Sequence, residues 1–274
     1  MEILLEQSNL LFALALAGAF AGLIAGLFGV GGGVVIVPAL YAILGEFGID
    51  DDTRMKTAIA TSLATIVVTS IRSVMAHYKR GAVDVRVLKS WVPWIIPGAM
   101  VGAVLASQLP GNWLVIGFGG FAILIALQLG FGNARWRLAD QLPDGLGKVG
   151  LAGFIGLSSA MAGIGGGVVG VILMTVCGKP IHRAVGTAAG FGAAIGLPAA
   201  LVYMVSGWLA PVQAPMSIGY VNVPGFLFIS VLTATLAPIG AQLAHALPAS
   251  VLRRSFALLL VVTGGMMLRD GLIF

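Results

Sequence analysis

The sequence predicts an all-α integral membrane protein made of two inverted-topology repeats of four hydrophobic segments. Three observations carry this. The 274 residues are 59% hydrophobic and only 9% charged, against about 25% charged in an ordinary soluble domain. Apolar stretches of about 20 residues, the length that crosses a hydrocarbon core, recur along almost the whole chain. Finally, two sets of segments share local sequence in the same order, the mark of an internal repeat.

Apolar runs between polar or Gly/Pro breaks give segments near 10–44, 57–77, 90–109 and 113–131, then 149–177, 184–206, 223–246 and 251–269. The first run follows Glu2 and Glu6 rather than a basic stretch, and no small-residue cleavage site follows it, so it reads as part of the mature chain and not as a signal peptide. Four blocks match between the halves. Gly29-Val30-Gly31-Gly32-Gly33-Val34-Val35 matches Gly163-Ile164-Gly165-Gly166-Gly167-Val168-Val169, and Ala58-Ile59-Ala60-Thr61 matches Ala184-Val185-Gly186-Thr187. Gly81-Ala82-Val83-Asp84-Val85 matches Gly219-Tyr220-Val221-Asn222-Val223, and Gln108-Leu109-Pro110 matches Ala246-Leu247-Pro248. The chain divides into a first repeat over 1–131, a linker over 132–148 and a second repeat over 149–274.

Lys and Arg mark cytoplasmic loops. The loop 78–89 carries Lys79, Arg80, Arg86 and Lys89, and the linker carries Arg135, Arg137 and Lys148, so both are expected inside, with the uncharged turn at 110–112 outside. In the second half the signs reverse: 207–222 has no charged residue, whereas 247–254 carries Arg253 and Arg254. The halves therefore face opposite ways, as in inverted-repeat carriers, with both termini external. The net charge of +5 is a topology signal, not a nucleic-acid patch. Loop 45–56 fits least well, since Arg54 and Lys56 share it with Glu46, Asp50, Asp51 and Asp52.

Loops on both sides of 149–177 read as internal, so this segment must turn back within the membrane. Its length of roughly 43 Å as one helix exceeds a simple crossing, and the glycine cluster lies at its middle. Two half-length helices meeting at the glycines are expected here and in 10–44. Lipid cannot satisfy broken backbone, so such a break must be buried in protein or line a watery cavity. A helix starting after each cluster would aim free N–H groups and its positive dipole end inward. This makes Gly29, Gly31, Gly32, Gly33 and Val34, with Gly163, Gly165, Gly166, Gly167 and Val168, the candidate walls of an anion site. Thr61, Ser62 and Thr187 are candidate hydroxyl donors, or else they bond back to their own helices. Tight packing of small residues is the structural alternative for the glycines.

The apolar segments contain no Asp or Glu away from their ends, and apart from arginines at segment ends Arg72 is their one formally charged side chain. Carriers of protons or metal cations usually bury carboxylates, so an anionic cargo is favoured. Arg72 either attracts that anion or snorkels to the interface. His245 is a candidate proton relay, or an interfacial residue. Trp91, Trp94, Trp113 and Trp136 read as an aromatic belt. A single cysteine, Cys177, excludes an internal disulfide. No paired carboxylates, metal constellation or nucleophile set appears, so no catalytic residue, metal or cofactor is expected.

Gly26-Leu27-Phe28-Gly29-Val30-Gly31-Gly32-Gly33, then Pro38 and Ala60-Thr61-Ser62-Leu63, resembles the TauE/SafE family of sulfite and sulfonate exporters. Tyr78-Lys79-Arg80-Gly81-Ala82-Val83-Asp84 and the second glycine cluster with Ala184-Val185-Gly186-Thr187 extend the likeness over nearly the whole chain. One departure is Ala188-Ala189 in place of Ser62-Leu63, which argues against a symmetric serine. The resemblance implies a multi-pass permease of the cytoplasmic membrane that exports sulfite, sulfoacetate or a related C2–C3 organosulfonate, driven by an ion or potential gradient. A non-transporting accessory subunit stays open, a membrane enzyme is disfavoured, and a homodimer is an open assembly. The expected partners are a small anion and the bilayer, with no nucleic acid.

Overall fold

The computed structural model describes residues 2–131, 139, 141–212 and 214–273. They form α1 (Glu2–Phe28), α2 (Gly33–Glu46), α3 (Asp51–Tyr78), α4 (Val85–Gln108), α5 (Gly111–Phe131), α6 (Gly145–Ala162), α7 (Gly167–Val176), α8 (Ile181–Trp208), α9 (Val223–Ala246) and α10 (Ala249–Ile273). Among the described residues, seven helices are long and apolar enough to cross a membrane, and α3 is the most enclosed of them. The chain is an all-α integral membrane protein. Arg135, Trp136 and Arg137 lie outside the described residues.

Several helices begin or end beyond the apolar run that announced them. α3 starts at Asp51 because Asp50 caps it, its Oδ1 accepting the Thr53 N–H at 3.0 Å. Asp84 caps α4 through Val87, and Asn222 caps α9 through Gly225. These are side chains that satisfy the orphan donors of a first turn. The chain between α8 and α9, expected as a plain loop, contains a minimal hairpin of β1 (Ser217–Ile218) and β2 (Val221–Asn222). It docks on α8, with Tyr220 buried and its N–H donating to the Tyr203 carbonyl at 3.4 Å.

Both long first segments are broken at their glycines, but the arms are unequal. α1 has 27 residues against 14 in α2, and α6 has 18 against 10 in α7. The expectation of paired half-length helices is therefore corrected to a long entering arm and a short returning one. The long arms carry glycine faces that demand length. Gly18, Gly22 and Gly26 of α1 lie against Leu232, Thr233 and Ala237 of α9, and Gly156 of α6 lies against Ile95 and Ala99 of α4. Small residues let the backbones approach closely here.

The helix pairings follow a regular scheme: α1 packs on α9 and α6 on α4, α2 packs on α3 and α7 on α8, while α3 meets α8 and α5 meets α10. Exchanging α1 to α5 for α6 to α10 returns the same list. Trp91 is a correction: it is buried, not interfacial, because it falls on the α4 face that also buries Ile95, Ala99 and Ala103. Trp94 and Trp113 are exposed, and Cys177 is a buried free thiol.

Candidate functional site

The two breaks meet. A Cβ placed on Gly33 would strike the Gly163 carbonyl, and one on Gly167 would strike the Gly29 carbonyl. Only glycine at these points lets the start of each short helix rest on the end of the opposite long one. Gly31 and Gly165 both abut Ile66 of α3, where an added Cβ would lie 2.8 Å from its Cγ2 in each case. Gly29, Gly31, Gly32, Gly163 and Gly166 have positive φ, the conformation that turns each chain back. The crossing is closed, backbone on backbone, so a solute would enter only if the tips part.

The short helices start at this crossing. α2 is preceded by Gly32 at φ 84° and α7 by Gly166 at φ 68°, and neither receives a side-chain cap. Val34 and Val168, in these first turns, are fully buried. Two positive helix ends with uncapped N–H groups therefore point at one region of the interior. Ser62 reaches the same place, donating to the Gly163 carbonyl at 2.9 Å.

Thr61 and Thr187 do not bond back to their own helices. Thr61 Oγ1 accepts the Asn222 N–H at 2.9 Å, and Thr187 Oγ1 accepts the Asp84 N–H, also at 2.9 Å. Each threonine ties the helix of one half to the cap residue of the other. Beside Thr187, Asp84 pairs with Lys179 at 3.6 Å, and Arg183 stands next to them.

Arg72 is not brought to the crossing. It is exposed, and its Nε donates to the Ala234 carbonyl of α9 at 3.2 Å. His245 lies elsewhere too, 3.2 Å from His77.

Sequence reading missed most of the polar interior. Thr57, Thr61, Thr65, Thr69, Ser73 and His77 follow one another every fourth residue along α3, and each is at most 1% exposed. Thr69 and Thr233 hydroxyls stand 2.7 Å apart, Ser73 donates to the Ala25 carbonyl, and the buried hydroxyls of Thr57, Ser70 and Ser230 have no partner among the described residues. The four-residue spacing was visible in the sequence. It would have marked a polar stripe on a helix otherwise apolar enough to span. Among the described residues no group of three His, Cys, Asp or Glu is arranged to hold a metal ion.

These features have relatives. The family model "Sulfite exporter TauE/SafE" matches residues 14–267. The chain belongs to this family. A "Probable membrane transporter protein" of Haemophilus influenzae is 33% identical over 247 residues, covering 90% of this chain and 94% of that protein. A protein of the same description from Methanocaldococcus jannaschii is 27% identical over 240 residues, 84% and 86% of the two chains. Another from Bacillus subtilis is 37% identical over 119 residues, 42% of each. No solved structure matches. This TauE/SafE member is a multi-pass membrane transporter, and the glycine breaks and α3 stripe lie within the matched region.

Proposed function

We propose that this TauE/SafE protein is a secondary permease, not an enzyme, that moves a small anion across the cytoplasmic membrane by alternating access. Sulfite or a C2–C3 organosulfonate such as sulfoacetate is the cargo, and export is the direction. One observation carries the reading: the uncapped N-termini of α2 and α7 converge on the buried, hydroxyl-lined middle of α3. Such ends favour negative charge without needing a lysine or arginine in the membrane. A sulfonate or sulfite offers several acceptor oxygens to N–H and hydroxyl donors at once.

The exchange-symmetric helix pairing and the reciprocal Thr61–Asn222 and Thr187–Asp84 bonds support an inverted repeat with domains at 1–131 and 149–274. Lys79, Arg80, Arg86 and Lys89 flank Asp84, so the Asp84 face is cytoplasmic and the Asn222 face and both termini are external. Gly29, Gly31, Gly32, Gly33, Val34, Thr61 and Ser62, with Gly163, Gly165, Gly166, Gly167, Val168 and Thr187, surround the cargo once the tips separate.

Purified protein in proteoliposomes tests this with labelled sulfite, sulfoacetate, taurine, sulfate and acetate. Saturable flux of the sulfur oxyanions above acetate is the expected result. Flux of none of them would overturn the permease reading, and a preference for acetate would overturn the cargo.

A further inference from the structure

The sequence contains three histidines, and the fold gathers all of them from three helices. His77 is in the last turn of α3, His182 in the first turn of α8 and His245 in the last turn of α9. His77 Nδ1 lies 3.2 Å from His245 Nε2, and His77 Nε2 lies 3.0 Å from the Gly26 carbonyl of α1. The His182 ring stacks beside that of His245, with centroids 5.6 Å apart and 24° between planes. His182 and His245 are half-buried and His77 fully buried, so the rings step inward from the surface.

The hydrogen bonds fix the neutral tautomers. A carbonyl only accepts, so His77 Nε2 carries its hydrogen and His77 Nδ1 is the acceptor. His245 Nε2 must then be the donor, which leaves His245 Nδ1 as the open lone pair of the pair. A proton that lands on His245 Nδ1 gives an imidazolium. When the His245 Nε2 proton then crosses to His77 Nδ1, the positive charge moves inward and His245 is neutral again, with neither ring turning. A second proton would set two cations 3.2 Å apart, so the pair holds one.

The surroundings tune this step. Arg80, whose guanidinium donates to the Gln242 carbonyl of α9 at 3.5 Å, is a fixed cation on the face that carries His77 and His245. Among the described residues no carboxylate is recorded against the rings: α8 presents His182, α9 presents His245 and backbone, and α1 presents Gly26. Gly26 sits in the last turn of α1, whose negative end favours an imidazolium. Its chain enters the glycine break three residues later. An anion drawn to that region offsets Arg80, so proton and anion strengthen each other's binding. In the register that matches Thr61 to Thr187, His77 corresponds to Tyr203 and His182 to Lys56. Neither tyrosine nor lysine ordinarily titrates near neutral pH, so the feature belongs to one face alone.

We propose that His245 and His77, with His182 stacked beside His245, form a one-proton binding site on the Asp84 face that loads together with the anion. The coupling rests on the permease reading, whereas the proton site itself does not.

Two measurements on the full chain separate them. With three histidines, the ¹⁵N-imidazole NMR spectrum in nanodiscs has few signals. Over a titration carried from about pH 8 to well below the ordinary imidazole range, His77 and His245 should respond to one shared proton, from Nε2–H tautomers at the alkaline end. His245→Gln, whose amide still donates to His77, should abolish the shared event. Independent titration of both rings, or a response of His77 unchanged in H245Q, would overturn the site. In proteoliposomes, the ratio of sulfoacetate uptake with an acid-outside gradient to uptake at equal pH does not depend on the amount of active protein. It should be several-fold in the wild type, with the variant's ratio at unity. Wild-type exchange indifferent to the gradient would overturn the coupling. Absence of any anion flux would overturn the permease reading and the coupling with it, while the NMR result still decides the proton site.

Discussion

At the scale of single residues, Gly33 and Gly167 are the most exposed to test, because φ at neither is left-handed and a Cβ there meets the backbone of the opposite break first. Gly33→Ala and Gly167→Ala wedge the tips apart. Overpacking of this kind costs about 1–3 kcal/mol. If the cycle passes through the closed crossing, flux falls by roughly tenfold or more. Gly153→Ala on α6, where an added Cβ meets nothing within 4 Å, is the control and should transport normally. Thr61→Val and Thr187→Val each strand a backbone N–H, at a cost of about 1–3 kcal/mol. Thermal unfolding in detergent should report a lowered midpoint in both, and recovery in Thr61→Ser and Thr187→Ser. The glycine clusters were legible as breaks because three consecutive glycines occur in each apolar run. That Thr61 and Thr187 serve as acceptors for the partner half was not, since it depends on where Asn222 and Asp84 fall in space.

At the scale of elements, α3 organises the interior. It lines the crossing with Ile66, runs a hydroxyl stripe from Thr57 to Ser73 and ends at His77. Its start depends on Asp50. Partial burial pushes that carboxyl up, but hydrogen bonds from the backbone and side chain of Thr53 outweigh it and hold Asp50 below its ordinary value. A lowered folded value means that Asp50 stabilises the fold above the unfolded value of about 3.9, and the contribution fades as pH falls through the lowered one. Acidification into that range should lower the unfolding midpoint of the wild type more than that of Asp50→Ala. At neutral pH the variant should be less stable by about 1 kcal/mol. The mixed charge of loop 45–56, which weakened the topology count, has a local cause. Asp51 pairs with Arg54, Asp52 pairs with Lys56 at 2.8 Å and accepts the Gly111 N–H at 2.7 Å, so these charges are spent on α3 and α5. Helix identity was readable from apolar length, whereas the unequal hairpin arms were not. Arm length follows from the α1–α9 and α6–α4 glycine interfaces, which join residues far apart in sequence.

At the scale of the whole molecule, the account is one of two short helices held tip against tip by glycine, in a frame whose pairings survive exchange of its halves. Closure at the crossing and a polar stripe beside it are what alternating access requires of one of its states, with opening left to movement of the halves. The central claim is that an anion passes where the tips part. The most direct measurement is saturable sulfoacetate flux into proteoliposomes holding equal amounts of folded wild type, Gly33→Ala, Gly167→Ala or Gly153→Ala protein. The account predicts flux in the wild type and in Gly153→Ala, with both wedged variants reduced by roughly tenfold or more. Undiminished flux through both wedged variants, with folding intact, would contradict it.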